Sequence, residues 1–194
     1  MLDLARAYLE GGATFLQLRA KQAASGPLLD SATAIVAIGA PFGAQLIVND
    51  RADIARLSGA AGVHVGQDDL APEAARRVVG PQGVVGISTH TPVQLDAAVR
   101  EPVDYVAIGP VFGTASKVTG YDAIGLAMVE QAAARAHASG LQVVAIGGIT
   151  LERAADLVRA GADSVAVISD LLRTGSPTAR VREYLERLAS VGRV

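Results

Sequence analysis

GATFLQLR (12–19), GAAGVHVG (59–66), PVDYVAIG (102–109) and GADSVAVIS (161–169) are four versions of one pattern, a small-residue turn running into a β-rich strand. Between them stand glycine-led strands of a second kind: GAQLIVND (43–50), GVVGIST (83–89) and GLQVVAIGG (140–148). The first kind follows alanine- and leucine-rich stretches with helical spacing, such as 74–79 and 151–159. Near-continuous Val/Ile runs suit strands buried on both faces, and helices between them make the sheet parallel. Repetition at this period is a fold-level signal, because one unit cannot bury its apolar face alone. The two kinds alternate from first to last, giving seven strands that begin and end with the same kind. A closed (β/α)₈ barrel of the TIM type needs eight. The alternation places the absent first strand, one of the second kind, before Leu2, and residues 2–10 read as the helix that would follow it. The competing architecture is an open doubly wound sheet, but no Gly-rich dinucleotide fingerprint follows any strand. The expected fold is therefore an α/β, TIM-type phosphate-binding barrel lacking its first strand.

Half of the 194 residues are apolar, enough for one core, so a single, N-terminally short barrel domain over 1–194 is expected. A net charge of −2 gives no basic face for nucleic acid or a membrane surface, and neither is expected as a partner. With no cysteine, disulfides, thiolate metal sites and cysteine nucleophiles are excluded. No apolar run reaches the roughly 18–20 residues that span a bilayer, and the N-terminus does not read as a secretory signal. A cytoplasmic location is the expectation. Strand edges left open in an unclosed barrel invite pairing between chains, so a homo-oligomer is a further expectation.

In such barrels chemistry sits at the carboxyl ends of the strands, and polar residues gather there in this chain. Gln17, Arg19 and Lys21 alternate as residues on one strand face do. Two inward cations would be costly if buried alone, so a polyanion is their natural partner; surface salt bridges are the plainer reading. Asn49 and Asp50 end the next strand, and Gln67, Asp68 and Asp69 the one after. Carboxylates on neighbouring strand ends suit Mg²⁺, which keeps its other positions for water and phosphate oxygens. Asp68 or Asp69 could instead cap the helix near Pro72. His64 reads equally as a hydrogen-bonded core residue and as a catalytic group. Ser88, Thr89, His90 and Thr91 could hold a phosphate or a ring nitrogen, or cap the helix opened by Pro92. Thr114, Ser116 and Lys117 in GPVFGTASK make an anion cradle. Gly147 and Gly148, with Ser169 in the neighbouring loop, let a phosphate approach backbone amides. These residues offer two anion sites, one cationic and metal-assisted, the other glycine-lined. They contain no nucleophile–base dyad and no Schiff-base lysine, so the mouth suits phosphate binding and leaving-group stabilisation.

QLRAK, IVNDR, GVHVGQDDL, GISTHT, GPVFGTASK, VVAIGGIT and SVAVIS resemble, in order and approximate spacing, the motifs of the thiamine-phosphate synthase family, across nearly the whole chain from Gly11 to Ser169. The resemblance implies an enzyme that releases pyrophosphate from a pyrimidine diphosphate and joins the pyrimidine to a thiazole phosphate. It implies that Gln17, Arg19, Lys21, Asn49, Ser88 and Lys117 hold the pyrimidine diphosphate, with Arg19, Lys21, Ser88 and Lys117 carrying catalysis. By the same resemblance Asp50 and Asp69 bind Mg²⁺. Thr114, Ser116, Gly148, Ile168 and Ser169 contact the thiazole phosphate. The implied reaction is dissociative: pyrophosphate leaves, and the thiazole nitrogen attacks the resulting pyrimidine-stabilised cation. The chain departs from the family in lacking the first strand, in Ser116 where Thr is commoner, and in the segment 118–126. Three rivals stand beside this reading. A thiazole tautomerase-like isomerase would place a histidine where Pro110 stands and would lack the acidic pair at Asp68 and Asp69. A truncated, non-catalytic barrel would bind phosphorylated heterocycles without turning them over. A phosphate-binding enzyme of sugar or amino-acid metabolism would need a general acid–base pair in the mouth.

Overall fold

The computed structural model describes residues 1–113 and 120–191. Helices and strands alternate throughout: α1 (Leu2–Glu10), β1 (Phe15–Leu18), α2 (Ser25–Gly39), β2 (Gln45–Asn49), α3 (Ala52–Ser58), β3 (Gly62–Val65), α4 (Pro72–Val79), β4 (Val84–Thr89), α5 (Pro92–Ala98), β5 (Tyr105–Ile108), α6 (Gly125–Ala138), β6 (Gln142–Ile146), α7 (Leu151–Arg159), β7 (Ser164–Ala166) and α8 (Pro177–Ala189). Short 3₁₀ turns occupy Ala40–Phe42 and Ser169–Leu172. The seven strands form one parallel sheet in sequence order, as the alternating pattern requires. Among the described residues β1 and β7 are its two edges. No helix of the described residues is long and apolar enough to cross a membrane.

Period-two alternation sorts every strand into an outer and an inner set. Val48, Val63, Val85, Val106 and Val143 are fully buried and belong to the apolar core shared with the helices. The inner set forms rows that climb from strand to strand: Gln17, Ile47, Gly62 and Val84 in one, then Asn49, His64, Gly86 and Tyr105 in the next. This slant lifts later residues of the inner set toward the carboxyl mouth.

The strand entrances repeat a device. The Asp104 amide donates to the Val85 carbonyl (2.8 Å) while the Val85 amide donates to the Asp104 carboxylate (2.6 Å). Asp163 and Val143 make the same reciprocal pair, at 2.9 and 2.8 Å. Each carboxylate also meets a cationic or ring nitrogen from a helix, Arg76 on α4 or His137 on α6, at 2.7 Å. The internal repeat seen in the sequence is thus a repeat of hydrogen bonding.

Two sequence readings shift in detail. β1 stops at Leu18, so Arg19 and Lys21 lie past the strand rather than on its face. The N-cap of α4 is Ala71, so neither Asp68 nor Asp69 caps that helix, whereas the Thr91 hydroxyl does accept from the Gln94 amide at the start of α5.

Candidate active site

The carboxyl ends of β1 to β4 converge on a cavity of about 180 Å³. Its wall includes Lys21, Asn49, Asp50, His64, Gln67, Asp68, Asp69, Ser88, His90 and Tyr121. Asn49 is the last residue of β2, and Asp50 turns the chain sharply with a φ of 63°. The Asp50 amide donates to the His64 carbonyl, and the Arg51 amide reaches back to Asn49, each at 2.8 Å. This bend aims the Asp50 carboxylate over the mouth, where Lys21 Nζ approaches it to 3.0 Å.

Asp69 comes from the β3–α4 loop. One of its oxygens accepts from the Gly66 amide at 2.8 Å, and a Cβ on Gly66 would sit 2.8 Å from that same oxygen. A side chain at 66 would push this carboxylate off the strand end. Asp50 and Asp69 are in hydrogen-bonding contact. Burial first, and the neighbouring Asp69 second, push the Asp50 carboxyl above its ordinary range, against the opposing pull of Lys21. Two carboxylates pressed together with one lysine are short of positive charge. They could hold a divalent ion whose remaining positions go to water and phosphate, the habit of Mg²⁺. Among the described residues no group of three His, Cys, Asp or Glu forms a full protein cage.

Below the carboxylates lies a polar floor. His64 stacks on the Tyr105 ring, bonds the Tyr105 hydroxyl through Nδ1 (2.9 Å) and meets Ser88 Oγ through Nε2 (2.8 Å). The Gln67 amide nitrogen donates to the Ser88 carbonyl at 2.6 Å. At the rim Tyr121 stacks on His90 with centroids 4.1 Å apart, and Gln94 donates to its hydroxyl at 3.0 Å.

Of the residues singled out from sequence, Lys21, Asn49, Asp50, Asp69 and Ser88 share this cavity. Gln17 bonds Tyr105 from β1, and Arg19 lies exposed just past that strand; neither belongs to the cavity wall. Thr114, Ser116 and Lys117 lie outside the described residues. Gly148, Ile168 and Ser169 stand at the ends of β6 and β7, away from the cavity wall. There Gly147 and Gly148 adopt φ of 98° and 63°. A Cβ on Gly148 would meet the Gly113 carbonyl at 2.5 Å, so the loop is drawn tight against the β5–α6 segment. Ile168 is exposed and Ser169 opens the second 3₁₀ turn, leaving that end of the sheet accessible. Sequence reasoning missed Tyr105 and Tyr121. Tyr105 carried no strand-end signal because it opens its strand at the opposite end, and its reach comes from the length of its ring.

The family model described as thiamine monophosphate synthase matches residues 1–171. The thiamine-phosphate synthase of Koribacter versatilis is 46% identical over 190 residues, covering 98% of this chain and 87% of the relative. That of Methanoculleus marisnigri is 44% identical over 188 residues, covering 97% and 88%. Among solved structures, a thiamine phosphate pyrophosphorylase from Pyrococcus furiosus superposes with a TM-score of 0.89 at 28% identity, covering 98% of this chain and 90% of that one. An orotidine 5'-phosphate decarboxylase from Pyrococcus horikoshii, at 15% identity and a TM-score of 0.68, shares the fold alone. A matching family model, two relatives above 40% identity and a carboxylate-lined mouth on a β/α half-barrel agree, and the chain belongs to the thiamine-phosphate synthase family.

Proposed function

We propose that this chain makes thiamine phosphate, transferring the hydroxymethylpyrimidine group from its diphosphate to thiazole phosphate with Mg²⁺. The observation that carries the reading is the Asp50–Asp69 contact, with Lys21 at 3.0 Å, above a floor holding Asn49 and Ser88. Such a site attracts a metal–polyanion complex.

The pyrimidine diphosphate would enter with its phosphates at the mouth and its ring on the floor. Mg²⁺, held by Asp50 and Asp69, would neutralise charge on the departing pyrophosphate. Lys21 and Arg19 would stabilise the same charge as it develops, with Lys117 assigned to this task by the family motif. The bond between the pyrimidine methylene carbon and the diphosphate oxygen breaks, and its electron pair leaves with pyrophosphate. The pyrimidine ring shares the positive charge, and the thiazole nitrogen lone pair then forms the new C–N bond. No proton need move in these two steps, so the Ser88–His64 pair, 2.8 Å apart, would bind and orient rather than attack. Ser88 and Asn49 would orient the ring. The glycine-lined loop at Gly148, with Ile168 and Ser169, would take the thiazole phosphate, together with Thr114 and Ser116.

The test is direct. The purified chain is incubated with both substrates, with and without Mg²⁺, and thiamine phosphate and pyrophosphate are quantified. Equal, Mg²⁺-dependent amounts of the two products are expected. Pyrophosphate without thiamine phosphate, or isomerisation of a thiazole phosphate without metal, would overturn the assignment.

A further inference from the structure

The loop between β3 and α4 opens with a tight turn that has Gln67 and Asp68 at its corners. The Asp69 amide donates to the Gly66 carbonyl at 3.4 Å, and the Gly66 amide donates to the Asp69 carboxylate at 2.8 Å. Asp68 is exposed and Gln67 is also open to solvent, yet the Gln67 amide reaches across to the neighbouring strand. There Nε2 donates to the Ser88 carbonyl at 2.6 Å.

That bond orients the amide. A backbone carbonyl can only accept, so the nitrogen faces it; the reversed amide would set two oxygens against each other. Oε1, on the same carbon, is turned away from the Ser88 carbonyl, and Gln67 forms part of the cavity wall. Among the described residues no donor reaches that oxygen. Its depth follows from its anchor, because Ser88 lies within β4 and its hydroxyl meets His64 on the floor. The amide therefore serves the floor, below the carboxylates that suit a metal.

An unshared amide oxygen narrows what can meet it. Ionised phosphates present acceptors, and so does a ring nitrogen without hydrogen; two acceptors repel. The matching group is an N–H, and the N–H that projects from the edge of a pyrimidine is an exocyclic amine. We propose that Gln67 accepts a hydrogen bond from the exocyclic amino group of the pyrimidine substrate and so selects the aminopyrimidine over its oxo counterpart. An oxo group in that place would set carbonyl against carbonyl. The choice of a pyrimidine rests on the proposed synthase activity. Gln67 is a specificity residue and takes no share in bond breaking. Because it is open to water, the discrimination is that of one neutral hydrogen bond, about five- to tenfold, and not the larger penalty of a fully desolvated pair.

The test uses the intact chain and two ligands without phosphate. One is hydroxymethylpyrimidine with its amino group; the other carries oxygen in that place. Binding is followed by NMR titration, without turnover. The unaltered chain should bind the amino form about five- to tenfold more tightly. Gln67→Met keeps the length of the side chain and removes both polar ends. It should weaken the amino form by that factor and leave the oxo form nearly unchanged. Mn²⁺ affinity, read by electron paramagnetic resonance, and pyrophosphate affinity should not move. Equal binding of the two pyrimidines by the unaltered chain would overturn the proposal, and that comparison needs no variant. So would a Gln67→Met chain that still prefers the amino form. Reduced Mn²⁺ affinity in Gln67→Met, with the amino preference intact, would give the oxygen to the metal instead. Failure to form thiamine phosphate, beside an amino preference that depends on Gln67, would count against the activity alone and uphold the role of Gln67.

Discussion

At the scale of single residues the site is a compromise between fold and function, and Asp50 shows it most clearly. It is the non-glycine residue with a left-handed φ among those described, a conformation that costs about 1 kcal/mol or more for most side chains and is tolerated best by Asn and Asp. Its carboxyl is held above the ordinary range by burial and by Asp69, so ionisation of Asp50 opposes folding. The sign follows: the stability associated with the protonated carboxyl is present below the unfolded pKa of about 3.9 and is lost as pH rises through the folded value. Asp50→Asn keeps the backbone preference and removes the charge. It should raise the melting temperature of the metal-free protein at neutral pH and leave it little changed in acid. The same substitution should cost roughly 10²–10³ in Mg²⁺-dependent turnover, the scale of one group that stabilises leaving-group charge. Thermal melts from pH 3 to 8, beside assays across a Mg²⁺ titration, measure both effects. A metal-free protein that is less stable as Asn at neutral pH would show that Lys21, not Asp69, dominates the surroundings of Asp50.

At the scale of elements the loops at the mouth depend on anchors set beneath them. The carboxylate of Asp170 is 2% exposed and sits in the 3₁₀ turn that Ser169 opens. It accepts from Arg180 Nε and Nη2 (3.1 and 2.7 Å), from the Tyr184 hydroxyl (2.7 Å) and from the Leu151 amide (3.3 Å). One side chain thereby ties the turn after β7 to the start of α7 and the middle of α8. Burial alone would push this carboxyl up, but the bonds from Tyr184 and Arg180 outweigh it and hold it below its usual range. Its contribution is therefore present above the unfolded pKa of about 3.9 and lost as pH falls through the folded value. Asp170→Asn leaves the buried Arg180 with Glu183 as its remaining carboxylate, and at neutral pH should cost about 3–5 kcal/mol. Urea midpoints should converge with those of the unaltered chain as pH drops below the carboxylate range; a gap that persists in acid would assign the loss to packing instead. This anchor also marks where sequence reading stops. Val/Ile runs and Gly-led turns gave the strands in their correct order, because burial on both faces leaves a local signature. Asp50 and Asp69 were legible as a pair because both fall at neighbouring strand ends. Asp170, Tyr105 and Arg180 were not, since their partners are 10 or more positions away, as with Arg180 and Asp170, or 41, as with His64 and Tyr105. Nothing in local composition distinguishes a buried aspartate from an exposed one. Arg19 was placed on the face of β1 because alternation continues through QLRAK, although the pairing with β2 has already ended at Leu18.

At the scale of the whole molecule the helices meet where, among the described residues, the sheet does not close. There β1 and β7 are edges, yet α1 packs against α8 and Arg182 donates to the Glu10 carbonyl at 3.1 Å. The contact is close because Gly11, just past α1, has no side chain: a Cβ there would lie 2.7 Å from Val181 Cβ and 2.8 Å from the Thr178 carbonyl. Neither obstacle yields easily, as one is a β-branched carbon on a helix and the other is backbone. Gly11→Val should therefore pry α1 from α8 and cost about 1–3 kcal/mol, the range for overpacking. Each kcal/mol should lower the melting temperature by about 2–4 °C in a chain of this size. Gly26→Ala provides the comparison, since a Cβ at that helical position has nothing within 4 Å and should be neutral or stabilising by up to about 1 kcal/mol. Loss of the α1–α8 contact also uncovers the strand edges, and exposed edges pair between chains. Light scattering on warming should accordingly rise earlier in Gly11→Val than in Gly26→Ala. The candidate mouth lies at the opposite end of the strands from Gly11, so turnover well below the melting transition should be retained in both. A Gly11→Val protein that melts with the unaltered chain would mean that α8 shifts to accept the side chain and that ring closure contributes little. Early scattering with an unchanged melting temperature would instead place the protection of β1 and β7 in this one helix contact, separate from global stability.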